Sequence, residues 1–340
     1  MFSVRLAAWL AVLFPMALQA ANPPASDLAQ RYDRMALAGD LSRAQDLFDG
    51  LGERASGHDL ALAAAFEERF AVPSTDALPG DDSFSARVAE IYRTYWRSAL
   101  LREPGDPESR LRAALSRLLE AETVTGAVDR EPVSAVLAAL ALREVHHDER
   151  PGPPMRDLLL WREERSARYA VRLSDGTRHV RVRFIDDVLL QGWKDYASLG
   201  RFSTTGWAHD GELYCLAGAY DTSSEAFRVS FLKHEARHLA DLEDFPEMPP
   251  TELEYRAKLT ELAFAHQSLG SVLSGFAAKA ADDPESPHAM ANHRVIRDLY
   301  HALHDEGLPA GFDGWDALNG ARINRAALDL LERDSRSRLR

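Results

Sequence analysis

The sequence predicts an α+β chain, mostly helical, in two parts. Three observations predict it. From Asp27 to about His147, apolar residues recur at helical spacing between breakers, without strand-like alternation. After Arg150-Pro151-Gly152-Pro153-Pro154 the period falls to two around an Asp175-Gly176 turn. Beyond that hairpin, two amphipathic runs flank a proline-rich break and carry the histidine–carboxylate pattern. The expected division is a leader at 1–21, an all-helical domain at 22–150, and a domain with a small β-sheet and a helix pair at 151–340.

The leader has Arg5 ahead of an apolar run, Leu6 to Leu18, closed by Ala20 and Ala21. That is the pattern of a secretory signal peptide. The run is shorter than the roughly 20 residues a spanning helix needs. The chain is therefore expected to be exported, periplasmic or secreted, with no membrane span beyond the leader. Helical runs follow at Leu28–Leu37, Leu41–Phe48, Leu60–Phe70, Phe84–Leu101, Arg110–Leu119 and Val133–Leu142. Gly39-Asp40, Pro79-Gly80, Pro104-Gly105-Asp106-Pro107 and Glu131-Pro132 separate them. No fixed period marks a solenoid. These helices hold no histidine–carboxylate cluster, so they are read as an accessory domain or a surface for a protein partner.

In the second part, Ala167–Leu173 and Val180, Val182 and Phe184 alternate as the arms of a hairpin. Asp186–Leu199 reads as a helix and Glu212–Tyr220 as a strand. Thr222 fits a helix N-cap, with Glu225 as its capping-box partner. That helix runs through His234–His238. Phe245-Pro246-Glu247-Met248-Pro249-Pro250 breaks it, and a second helix is expected over Thr251–Leu269. Asp282–Pro287 reads as a loop. Helices over Ala289–His304 and Ala321–Leu331 follow, then a charged tail.

Acidic groups outnumber basic ones, 53 to 40, for a net charge of −13. That excludes a general nucleic-acid or anionic-membrane surface. Cys215 is the only cysteine, so no internal disulfide forms. A metal site must then use histidine and carboxylate.

His234-Glu235-Ala236-Arg237-His238 supplies both. On a helix its two imidazoles share a face and can meet one ion. Glu235 beside them can take a proton from metal-activated water. A catalytic zinc site takes three protein ligands. The candidate third is Glu254, sixteen residues past His238 in the first turn of the second helix. Glu252 and Glu261 compete with it. Glu261 shares Glu254's helical face, and it or Asp241 could support a ligating imidazole. Candidates for stabilising an oxyanion are Tyr214, Tyr220, His288, His293 and Tyr300. One zinc ion is the expected cofactor.

His-Glu-x-x-His followed by a glutamate on the next helix resembles the gluzincin class of zinc metallopeptidases. Glu254-Tyr255-Arg256-Ala257 also resembles the Glu-(Tyr/Phe)-x-Ala-Asp motif of the membrane-associated prenyl-protein-protease-like branch. The resemblance covers roughly Gly206 to Leu269. It implies a zincin-like domain, zinc on His234, His238 and Glu254, Glu235 as general base, and a peptide or protein substrate. It also implies a strand that pairs with extended substrate, here Glu212–Tyr220. Two departures stand out: Lys258 occupies the place of an aspartate that supports a zinc-bound histidine, and the chain has no internal membrane spans. The alternative expectation is a non-catalytic exported protein with a structural zinc and a partner-binding helical domain.

Overall fold

The computed structural model describes residues 10–14, 27–51, 55–71, 84–125, 155–209, 211–284 and 286–339. It is α+β and mostly helical. The expected helix at Val133–Leu142 and the linker at Arg150–Pro154 lie outside the described residues. Of the expected leader, only β1 (Leu10–Phe14) is described. None of the described helices is long and apolar enough to cross a membrane.

Two compact units divide the chain. One comprises Leu13–Glu164 and Ile185–Thr205; the other comprises Met1–Val12, Arg165–Phe184 and Gly206–Arg340. The boundary falls within a long hairpin, β2 (Leu159–Leu173) and β3 (Gly176–Gln191). With β4 (Ser203–His209) and β5 (Glu212–Leu216) the strand order is β1-β4-β5-β3-β2.

The first unit contains α1 (Asp27–Leu37), α2 (Ala44–Asp49), α3 (Gly57–Phe66), α4 (Phe84–Leu100), α5 (Pro107–Thr125) and the one-turn α6 (Trp193–Ala197). Ser56 and Asp59 form a reciprocal capping box that starts α3. The core is largely aromatic, with Tyr32, Phe48, Phe66, Phe70, Tyr92, Trp96 and Tyr196 buried together. Such rings bury large areas and prefer tilted or edge-on contacts, as between Tyr32 and Phe66 at 5.9 Å and 82°. Two of their polar ends bond to backbone carbonyls: Tyr32 Oη donates to Ala197 O at 2.8 Å and Trp96 Nε1 to Arg156 O at 2.6 Å.

The helix expected over Asp186–Leu199 is corrected. β3 runs on to Gln191, and only Trp193–Ala197 is helical. Asp187 takes a left-handed φ of 46°, and Leu189 and Leu190, buried in sequence, belong to the aromatic core. A short apolar run of this kind fits a strand or a helix equally well by period alone.

In the second unit, one sheet face packs on the histidine helix. Val171, Val182, Phe184, Leu213 and Cys215 share a core with Phe227, Phe231, Ala236 and Ala240. Gly206 pairs with Cys215 across β4 and β5. A Cβ on Gly206 would come within 2.4 Å of Phe231 Cε2, so glycine permits this approach.

The histidine helix begins with a π segment, Phe227–Lys233, that runs directly into α7 (His234–Asp244). The Thr222–Glu225 capping box is absent. Ser224 Oγ instead accepts from Phe227 N at 3.1 Å. Glu225 accepts from the backbone N–H groups of His266 and Ser268, ahead of α9 (Leu269–Ala278). After the break, Pro250 opens α8 (Pro250–Phe264), a position where its missing N–H costs nothing. α8 stops five residues before the expected Leu269, and Asn324 Nδ2 donates to Leu262 O and Ala265 O at its end. α7, α10 (Pro287–His304) and α11 (Gly320–Arg338) all pack on α8. The expected charged tail is thus the last part of α11, where Arg338 pairs with Asp334 and Glu252.

Candidate metal centre

α7 and α8 face each other and bring together the residues that the sequence nominates. His234, His238 and Glu254 each present one donor atom, all within 4.8 Å of one another. His234 Nε2 is 3.0 Å from His238 Nε2 and 3.7 Å from Glu254 Oε2; His238 Nε2 is 3.3 Å from Glu254 Oε1. Bonds of 2.0–2.1 Å at tetrahedral angles separate donors by about 3.3 Å. The spacing therefore fits one ion with three protein ligands. All three donor residues have no solvent exposure.

Glu254 and Glu261 lie two turns apart on the same face of α8, as their spacing predicts. Glu261 Oε1 is 2.7 Å from His234 Nδ1 and turns Nε2 of that ring toward the cluster. His238 Nδ1 has no such partner among the described residues. Asp241 lies elsewhere: Arg256 Nε donates to it at 2.9 Å, and Arg237 Nη2 lies 2.7 Å from its other oxygen. Glu252 is held by Arg294 and Arg338 rather than by the cluster.

Glu235 is 1% exposed, and neither of its oxygens has a hydrogen-bond partner among the described residues. A buried carboxylate left this way needs a proton, a water or a cation. Burial pushes its pKa up to about 8; the Glu254 and Glu261 charges add to the rise and His234 opposes it. Burial works against a charged His234, but contacts with Glu254 and Glu261 prevail and bring its pKa to about 10. Burial lowers His238, with the charge on His234 adding to that effect. Burial also opposes ionisation of Glu254, yet His288, Lys258 and the two imidazoles hold its pKa well below the usual carboxylate range. Near neutral pH Glu254 is thus ionised while His234 and Glu235 keep their protons, which a cation entering the set would displace.

His288, on the first turn of α10, places Nδ1 2.8 Å from Glu254 Oε2 and is 31% exposed. Lys258 Nζ is 3.5 Å from the same oxygen. In the sequence Lys258 stands out only as a departure from a pattern; its spacing of four from Glu254 is the signal that pairs them. Asn292, one turn past His288, is also buried, its Oδ1 without a partner among the described residues, and no motif points to it.

The remaining candidates do not join the cluster. Tyr214 pairs with Trp207 on the opposite pleat from Leu213 and Cys215, and the two rings stack at 5.0 Å. Tyr220 packs on Phe227 and Phe231. His293 lies about 140° around α10 from His288 at 100° per residue. Tyr300 stacks on His304 at 4.4 Å. The strand expected to pair with extended substrate is also corrected. β5 ends at Leu216 and lies between β4 and β3, so both its edges are already paired.

No protein-family model, curated protein or solved structure matches this chain.

Proposed function

We propose that the chain is a zinc-dependent hydrolase of gluzincin type, acting on peptide bonds through a zincin-like second part. The observation that carries this reading is Glu235. It is a buried carboxylate without a hydrogen-bond partner among the described residues, beside a His234–His238–Glu254 donor set of the right spacing. Two imidazoles and one carboxylate suit zinc, whereas magnesium and calcium prefer oxygen donors.

Zinc held by that set would supply Lewis acidity toward a carbonyl and a water molecule. Glu235 would serve as the base that takes a proton and returns it to the leaving amine. Burial strengthens Glu235 as a base. Glu261 fixes the tautomer of His234 that leaves Nε2 free to ligate. His288 is the partly exposed member of the cluster and marks the side open to solvent. Export, read from the N-terminal leader pattern, belongs to the same proposal.

A structural metal in a non-catalytic protein is the second reading, favoured by the full burial of the three donors. Closed structural sites carry four protein ligands, however. Metal content of wild type and His234→Ala, followed by digestion of a mixed peptide library, separates the two. The expected result is one zinc per wild-type chain, none in His234→Ala, and cleavage lost in a zinc-replete Glu235→Gln. Zinc in wild type without any cleavage would leave only the structural reading.

A further inference from the structure

We propose that Lys258 and His288 are positioning residues that reserve one oxygen of Glu254, keep this ligand monodentate, and so preserve an open position on the metal. The proposal rests on the metal-centre reading above.

The two oxygens of Glu254 meet different neighbours. Oε1 faces His238 Nε2 at 3.3 Å. Oε2 is the oxygen nearer His234, 3.7 Å from its Nε2. It is closer to the other groups, 2.8 Å from His288 Nδ1 and 3.5 Å from Lys258 Nζ.

Lys258 is not a solvated lysine that drifts onto a carboxylate. It is 6% exposed, and its ammonium lies 4.8 Å from the centroid of the Phe276 ring, a favourable seat for a cation. The helix places it one turn beyond Glu254 on the same face. Its charge therefore falls on Oε2.

A carboxylate with both oxygens free can chelate an ion. On a site with two imidazoles, chelation would fill the position that water and substrate require. Lys258 also places a positive charge near a bound cation, which weakens its binding. Both effects give the same sign: removing Lys258 strengthens metal binding.

The test uses the full chain loaded with zinc or cobalt. Lys258→Met should bind zinc roughly tenfold more tightly, the scale of one like charge removed at several ångströms in a partly screened interior. Its cobalt form should lose the intense d–d absorption of four-coordinate cobalt, and the Lys258→Met/His288→Ala double variant should lose more. Lys258→Arg should keep the wild-type spectrum. Lys258→Gln, which retains a donor without the charge, serves if methionine prevents folding. A side chain that merely filled space would give weaker binding and an unchanged spectrum, and that result would overturn the assignment. Absence of cobalt uptake by wild type would instead remove the metal-centre reading itself.

Discussion

Replacing Glu235 by glutamine should stabilise the metal-free protein, and more so as pH rises. Burial raises the pKa of Glu235 in the folded chain to about 8 from its ordinary value of 4.5. The folded state thus binds the proton more tightly than the unfolded state does. Below pH 4.5 both states are protonated and the group is neutral in its effect. Between 4.5 and 8 the unfolded chain ionises freely while the folded chain resists, so stability falls. From these two values the penalty is below about 1 kcal/mol at pH 5, about 3 at pH 7, and close to 5 above pH 9. Glutamine cannot ionise and escapes that penalty. It does bury an amide at some pH-independent cost, so the informative quantity is the slope. Urea unfolding of both proteins in chelator, from pH 5 to pH 9, measures it. The gap between them should widen in favour of Glu235→Gln as pH rises. Parallel curves would refute the argument that Glu235 is held in a dry site.

Glu261→Gln should weaken zinc binding by roughly 10- to 100-fold, because the support for His234 changes from carboxylate to amide; calorimetric titration measures it. Zinc uptake near pH 7 should release a proton from His234, seen as a dependence of apparent binding enthalpy on buffer ionisation, and affinity should rise with pH. Gly206→Ala should cost about 1–3 kcal/mol through its clash with Phe231, and adding Phe231→Leu should recover part of that loss in denaturant unfolding. Burial opposes ionisation of Asp334, but Arg338 and Arg256 prevail and lower its pKa. Asp334→Asn should therefore be less stable than wild type at neutral pH, and the difference should vanish as pH falls through that lowered pKa.

The metal cluster was legible because helices repeat. Two histidines four apart and two glutamates seven apart need only α-helical geometry to share faces, and both helices formed. Glu254 could be nominated because a proline break allowed α8 to turn back on α7. Parity across a sheet was not legible. Tyr214 stood one residue from Cys215, and only the Gly206–Cys215 register shows which of the two faces the histidine helix. The end of α11 was hidden by its charges. Pairs such as Arg336–Glu332 and Arg338–Asp334 stabilise a helix while reading as a solvated tail. Glu225 was misplaced for a related reason, since a capping carboxylate can serve a distant helix as readily as its own.

The π segment Phe227–Lys233 also bears on how this site could be altered. A π turn is an α-helix with a surplus residue held in place by its surroundings. The wide turn takes up that surplus, so the helix beyond it keeps the phase that turns His234 and His238 toward α8. Deleting one residue there would therefore leave a regular α-helix whose two imidazoles still face α8.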